Sequence, residues 1–222
     1  MWASLAWPLW AAAQTPTDQD RSTASAISLP KQAAQPESFV PGGWALERKL
    51  TADLNRDGRP DALLLMRREG GVGTPQRIVA VVLRAPDTRG YRLAEANDQI
   101  IPHPEDTSQE DPMADGEIVV RTGGFDLKLT LFSGVGSYLT ATVRYRFRRQ
   151  NGCYRLIKFD RLETHRATLD TRDLSVNFLT GKVIRRTGNA QSDATQESTD
   201  RLNANPRRCL ADLGSAATFD PL

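Results

Sequence analysis

Lys49-Leu50-Thr51-Ala52-Asp53-Leu54-Asn55-Arg56-Asp57-Gly58-Arg59-Pro60-Asp61-Ala62-Leu63-Leu64-Leu65-Met66 is the stretch whose reading decides the fold. Counted from Asp53, side-chain oxygens stand at the first, third, fifth and ninth positions, with a glycine at the sixth. That is the spacing of the first nine positions of an EF-hand calcium loop, whose seventh position contributes a backbone carbonyl. A hard cation collects about six to eight oxygens, and alternate residues of a tightly curled loop can aim theirs at one point. On this reading Asp53, Asn55, Asp57 and Asp61 supply side chains, Arg59 its carbonyl, and Gly58 the sharp turn. The flanks do not read as helices. Leu64 stands where a bidentate Glu would close the loop, and Lys49–Ala52 alternates with period two. The unit is strand–loop–strand, and a metal-free Asx and glycine turn is the alternative for its centre.

Outward from this unit the pattern of short strands continues. Candidates are 45–52, 62–67, 77–84, 91–94, 118–121, 127–132, 138–148, 153–159, 174–178 and 182–185, with Thr180-Gly181 as a hairpin turn. No stretch carries helical periodicity, and the loop occurs once, so no repeat architecture is implied. The expected fold is all-β: an antiparallel β-sandwich or strongly curved sheet with one EF-hand-like calcium loop.

The chain of 222 residues suits one domain with a real core, and its formal charge of +2 argues against a dedicated nucleic-acid binder. No apolar run is long enough for a membrane span. Residues 1–13 read as a signal-peptide-like segment, truncated because no basic residues precede the apolar Trp2–Trp10. Residues 14–43, rich in Gln, Thr, Ser, Ala and Pro, read as a disordered linker; 44–215 form the single β domain and 216–222 a tail.

Cys153 and Cys209 are the two cysteines. In a reducing compartment they read as buried thiols, in a secreted chain as one bridge, worth roughly 4 kcal/mol in the chain-entropy model. The bridge, the calcium spacing and the apolar start together favour a periplasmic or secreted address.

Three further features carry possible function. Asp98, Glu105, Asp106, Glu110, Asp111, Asp115 and Glu117 fall in one stretch without Lys or Arg, readable as a solvated loop or as a source of one more calcium ligand. Val143-Arg144-Tyr145-Arg146-Phe147-Arg148 alternates strictly, so its aromatics face the core and its arginines the other side. Phe132-Ser133-Gly134-Val135-Gly136-Ser137-Tyr138 is a loop of small residues between strands, either an ordinary glycine hairpin or a loop slim enough to enter a cleft. His103 and His165 stand in no ligand spacing, and no nucleophile elbow, zinc-protease motif or phosphate-cradling loop occurs, so the chain does not read as an enzyme.

The strand end followed by Asp-x-Asn-x-Asp-Gly-x-x-Asp resembles the calcium loops of extracellular β-proteins, integrin-type propeller repeats and dockerin-like modules among them. With the loop before Tyr138 and the strands Tyr154–Asp160 and Val176–Lys182, the chain over residues 44–215 resembles secreted bacterial β-proteins related to periplasmic lysozyme inhibitors. Some members of that group are immunity proteins against lysozyme-like effectors. The inhibitors carry Ser-Gly-x-x-Tyr on the loop that enters the lysozyme cleft; here three residues separate Gly134 from Tyr138. The resemblance implies a calcium-binding, non-enzymatic inhibitor or immunity protein for a lysozyme-like peptidoglycan hydrolase. Ser133, Gly134, Gly136, Ser137 and Tyr138 would meet the partner. The alternative is a secreted calcium-dependent binding module for a glycan or envelope component. An exposed aromatic shelf would favour the glycan and a cleft-entering 132–138 loop the inhibitor.

Overall fold

The computed structural model describes residues 27–71, 73–86, 90–103, 109–132, 134, 137–204 and 207–222. The signal-like segment 1–13 and the linker as far as residue 26 lie outside the described residues. All regular structure described is strand, apart from short 3₁₀ turns at Pro36–Phe39 and Leu210–Asp212. The strands are β1 (Gln32–Ala33), β2 (Trp44–Ala52), β3 (Asp61–Arg68), β4 (Arg77–Arg84), β5 (Tyr91–Asn97), β6 (Glu117–Arg121), β7 (Gly124–Phe132), β8 (Leu139–Gln150), β9 (Cys153–His165), β10 (Asp170–Asn177), β11 (Lys182–Asn189) and β12 (Thr195–Arg201).

They form two antiparallel sheets. The smaller has the order β1-β5-β4-β3-β2, and the larger is a plain meander, β12-β11-β10-β9-β8-β7-β6. The chain passes from one to the other between Asn97 and Glu117. Leu63, Leu65, Val79, Val81 and Leu83 of the smaller sheet pack with Phe125, Leu127, Tyr145, Phe147, Tyr154 and Phe159 of the larger. The two sheets thus share one core in a sandwich-like arrangement.

The apolar runs of β3 and β4 are continuous rather than alternating, because both their faces are covered. Leu64, Met66, Ile78, Ala80 and Val82 point away from the sandwich core and pack with Phe39, backed by Ile27, Leu29 and Val40. Residues 27–43 are therefore not linker: they hold β1, which pairs with β5, and Phe39, which is fully buried. The 216–222 tail is corrected in the same way. Ala216 is buried, its amide donates to Ile100 O at 3.2 Å, and the Phe219 ring meets Tyr145 and Phe159 at 5.5 and 5.1 Å.

Cys153 and Cys209 are joined, with Cα atoms 5.9 Å apart. Beyond the bridge the C-terminal segment is held by Asn97, whose side-chain amide donates to Leu210 O and Leu213 O, both at 2.7 Å. Among the described residues no helix is long and apolar enough to cross a membrane.

Candidate functional site

β8 and β9, of 12 and 13 residues, outrun the eight- and nine-residue strands β2 to β4 of the smaller sheet, and the register shows where cover ends. One row across the inner face is Tyr145–Phe159–Val176–Val183, all buried. The next is Val143–Arg161–Leu174–Arg185, and the one after it Ala141–Glu163–Arg172–Thr187–Gln196. At the rim, Leu139 pairs with His165 and Asp170 with Asn189. The same face thus grades from aromatic core to charged and hydroxyl-bearing side chains over three rows. A bulge at Ile157 brings both Leu156 and Phe159 inward and carries the alternation on to Arg161, Glu163 and His165.

Over this polar end lies an open trough of about 1140 Å³, lined by Tyr138, Glu163, His165, Asp170, Arg172 and Asn189 among others. Its side chains are fixed by one another. Thr168 N–H donates to His165 Nδ1 at 3.1 Å, and the Thr168 hydroxyl donates to Asp170 Oδ2 at 2.6 Å. The Asn189 amide donates to Asp170 Oδ1 at 2.9 Å and to Thr168 O at 2.7 Å. The Thr168 hydroxyl first, and then the Asn189 amide, hold the Asp170 carboxyl below the usual carboxylate range.

Of the sequence-picked loop, Ser133 and Gly136 lie outside the described residues. Gly134 is exposed, Ser137 and Tyr138 line the trough, and Tyr138 is 65% exposed. The Tyr138 ring lies 5.7 Å from His165, tilted by 32°. Arg166 moors this end: its amide donates to Tyr138 O at 2.7 Å, its guanidinium donates to Ser137 O, and that group lies 4.6 Å over the Phe132 ring. The Ser137 hydroxyl accepts the Leu139 amide at 3.1 Å. Sequence reasoning chose Tyr138 but passed over Thr168, Asp170 and Asn189, whose short polar pattern has no apolar alternation beside it.

The carboxylate loop joins β2 to β3 and is curled by its own side chains. Asp53 Oδ1 accepts the amides of Arg56 (2.7 Å) and Asp57 (3.1 Å), and Oδ2 that of Gly58 (3.0 Å). Asn55 accepts from Asp57 N–H at 2.9 Å, and Asp57 from Arg59 N–H at 2.9 Å. Arg56 and Gly58 take positive φ, 66° and 81°. Leu54 is fully buried, its carbonyl accepts the Tyr154 hydroxyl at 3.1 Å, and Gly123 N–H donates to Asp53 O at 2.8 Å. The loop is thereby bound to the larger sheet.

Asp53, Asn55 and Asp57 share the loop, whereas Asp61 opens β3 and is fully buried. Its two oxygens accept Leu54 N–H (2.9 Å) and Arg84 N–H (2.8 Å), and burial pushes its pKa up against those bonds. Asp57 Oδ2 accepts from the Asn55 amide and Arg59 Nη2, each at 3.0 Å. Among the described residues the one group of three His, Cys, Asp or Glu with converging ligand atoms is Glu95, Cys153 and Cys209, whose sulfurs form the bridge. The donor chemistry of Asp53, Asn55 and Asp57 fits a hard cation, with Asp57 turned from Arg59. Asp61 braces the loop through the backbone.

The acidic crossover serves a structural purpose at Asp111. Both its oxygens bond Arg77, at 2.7 and 2.8 Å, and the bulged Glu47 of β2 takes the other side of the same guanidinium. Asp111 is thus spoken for as a cation ligand, and residues 104–108 lie outside the description. Comparison of the chain with protein families, curated proteins and solved structures finds no match.

Proposed function

We infer that this chain is a non-enzymatic binding protein of the periplasm or cell exterior, whose trough takes an extended, hydroxyl-rich ligand of the glycan class. The observation that carries this reading is the trough itself: an open channel lined by charged and hydroxyl-bearing side chains together with apolar surface, and bordered by an exposed tyrosine. Sugars present C–H faces that stack on an aromatic ring and hydroxyls that both donate and accept. Tyr138 offers the ring, Asp170 and Glu163 accept, and Arg172 donates. The interlocked bonds of Thr168, Asp170 and Asn189 set these groups before a ligand arrives, which lowers the ordering cost of binding. Ca²⁺ in the Asp53–Asp57 loop is part of the proposal, as a brace between the sheets rather than a ligand contact.

A second reading keeps the inhibitor or immunity role toward a lysozyme-like hydrolase. Tyr138 and Leu139, 65% and 44% exposed and adjacent in sequence, favour it as an apolar pair at a loop end. In that case Ser137 and Tyr138 enter the enzyme's cleft, where hydroxyls hydrogen-bond the paired carboxylates of such sites.

Titration of residues 27–222 with cell-wall and chitin oligosaccharides, followed by amide NMR, separates the two. Binding with shifts at Thr168–Arg172 and Thr187–Asn189 is the expected result. No oligosaccharide binding, together with inhibition of a lysozyme in a turbidity assay, would replace the glycan reading with the second one.

A further inference from the structure

A second cavity, of about 280 Å³, lies on the other side of the larger sheet's core, where the β6–β7 turn, β8 and the carboxylate loop meet. Arg56, Arg121, Gly123, Asp126, Arg146 and Arg148 are on its walls. The lining thus carries four arginines and one carboxylate. Asp126 is already forked by Arg146, with Nε to Oδ1 at 3.0 Å and Nη2 to Oδ2 at 2.9 Å; Arg121 stands at 3.6 Å. Among the described residues Arg56 and Arg148 have no carboxylate within ion-pair distance. The alternation of 143–148 places Arg146 and Arg148 on the face of β8 away from the core, and the fold adds Arg56 and Arg121 beside them at a hollow.

The turn is shaped to let Arg56 in. Gly123 has φ 79°, and a Cβ there would come within 2.3 Å of Arg56 Nε. A Cβ on Gly124 would strike Phe147 O at 2.1 Å. Two glycines therefore permit the turn to press onto β8 and the Arg56 stem to lie across it. Arg56 in turn has its own backbone fixed by Asp53 Oδ1, at 2.7 Å.

We propose that this cavity is a binding site for a phosphate-bearing anion. Arginines from three elements, the loop, β6 and β8, line it, whereas a planar carboxylate is satisfied by one fork, as Asp126 is by Arg146. A tetrahedral oxyanion presents oxygens in several directions and matches the three-sided arrangement. The size admits one or two phosphoryl groups, not a nucleic-acid strand. The site is separate from the trough, and because Arg56 stands between Asn55 and Asp57 its test is run without metal.

The test uses residues 27–222 in chelator at low ionic strength, with pyrophosphate as probe and calorimetric titration as readout. Saturable binding is expected, weakened at least tenfold in Arg56→Ala/Arg148→Ala, with the far-UV spectrum and melting of the free protein unchanged. Neither arginine is ion-paired, so that variant breaks no salt bridge, and Arg56→Gln/Arg148→Gln, which keeps most of the Arg56 stem across the turn, is the second variant should the alanine pair melt lower. A parallel arm measures sedimentation with phosphatidic acid vesicles against phosphatidylcholine vesicles. Binding of pyrophosphate without vesicles assigns a soluble phosphate ligand, and vesicle binding abolished by the same double change assigns a lipid headgroup. Heat of binding equalled by sodium chloride at matched ionic strength, or affinity retained in the double variant, would overturn the site.

Discussion

Tyr154 on β9 donates its hydroxyl to the carbonyl of Leu54, at 3.1 Å, from one sheet of the sandwich into the loop of the other. Both residues are fully buried, so the carbonyl has no water to turn to. Tyr154→Phe leaves it unsatisfied, which costs about 1–3 kcal/mol. Urea unfolding should show the loss as a lower midpoint with an unchanged slope. A midpoint equal to that of the parent chain would mean that the loop is held by Leu54 packing alone.

Arg77 ties the crossover to both β2 and β4, and its guanidinium is 4% exposed while Asp111 and Glu47 are 30% and 22% exposed. Removing Asp111 leaves a nearly buried cation half-paired, with Glu47 as its remaining carboxylate. Complete burial would make that loss about 3–5 kcal/mol, and the partial exposure of the acids puts Asp111→Ala near the lower end, about 3 kcal/mol. Replacing Arg77 by Met should cost less, because the carboxylates it leaves unpaired, Asp111 and Glu47, still reach solvent whereas the guanidinium does not. The order of the two variants in thermal melting is the check: Arg77→Met melting below Asp111→Ala would contradict it.

The loop's cation reading predicts a stability change in solution. Calcium at a hundred times its dissociation constant adds about 2.7 kcal/mol to a protein that binds it only when folded. For a chain of this size that is a rise in Tm of roughly 5–10 °C. Asp57→Ala should abolish the rise, since it removes a proposed side-chain ligand that caps one backbone amide, that of Arg59. Asp53→Ala is the less useful variant, because Asp53 caps three backbone amides and its loss destabilises the loop with or without metal. Coincident melting curves in calcium and in chelator would remove calcium from the account.

Asp170 gives a prediction in pH. Its folded pKa is lowered, so its contribution to stability is complete above the ordinary value near 3.9 and is lost as pH falls through the folded value. The principal cause is the Thr168 hydroxyl, followed by the Asn189 amide. Thr168→Val should raise the Asp170 titration toward the ordinary value in carboxyl carbon NMR. No movement of Asp170 would show that the Asn189 amide is sufficient.

How far the sequence could be read follows from what covers each residue. Ala62–Met66, Ile78–Leu83 and Val143–Arg148 announced strands because a core faces them, and the strict alternation of the last fits Val143, Tyr145 and Phe147 buried with Arg144 and Arg148 exposed. The same strands run on where nothing apolar lies opposite. Arg161–His165 extends β9 and Asp170–Asp173 begins β10, while the Thr195–Arg201 edge strand is exposed throughout. Hydrogen-bond register alone sustains those extensions, and register leaves no hydrophobic period to read. The trough is built almost wholly from them. Loop chemistry was more legible than trough chemistry for the same reason: Asp53, Asn55, Asp57 and Gly58 bond within a few residues of one another, whereas Asp170 finds Asn189 across a hairpin. Phe39 was hidden because its partner surface, the outer face of β3 and β4, is visible only as an unbroken apolar run that a doubly covered strand explains.

Arg166 separates a fixed shelf from a docking loop. Its backbone and guanidinium hold the carbonyls of Tyr138 and Ser137, and its charge lies over Phe132. If the trough binds a glycan against a pre-set Tyr138, Arg166→Ala releases the ring and weakens binding by a few-fold through added ordering cost, typically about 0.5–1.5 kcal/mol for a freed side chain. Tyr138→Ala removes the stacking surface itself and should cost about tenfold or more. If instead the loop docks into a hydrolase cleft, the central contact carries the larger share, and Tyr138→Ala should lower inhibition by about thirtyfold while leaving any saccharide titration unchanged. The two assays run on the same two variants therefore give opposite patterns. Glycan affinity that is indifferent to both changes would place the ligand elsewhere on the sheet and take Tyr138 out of the site.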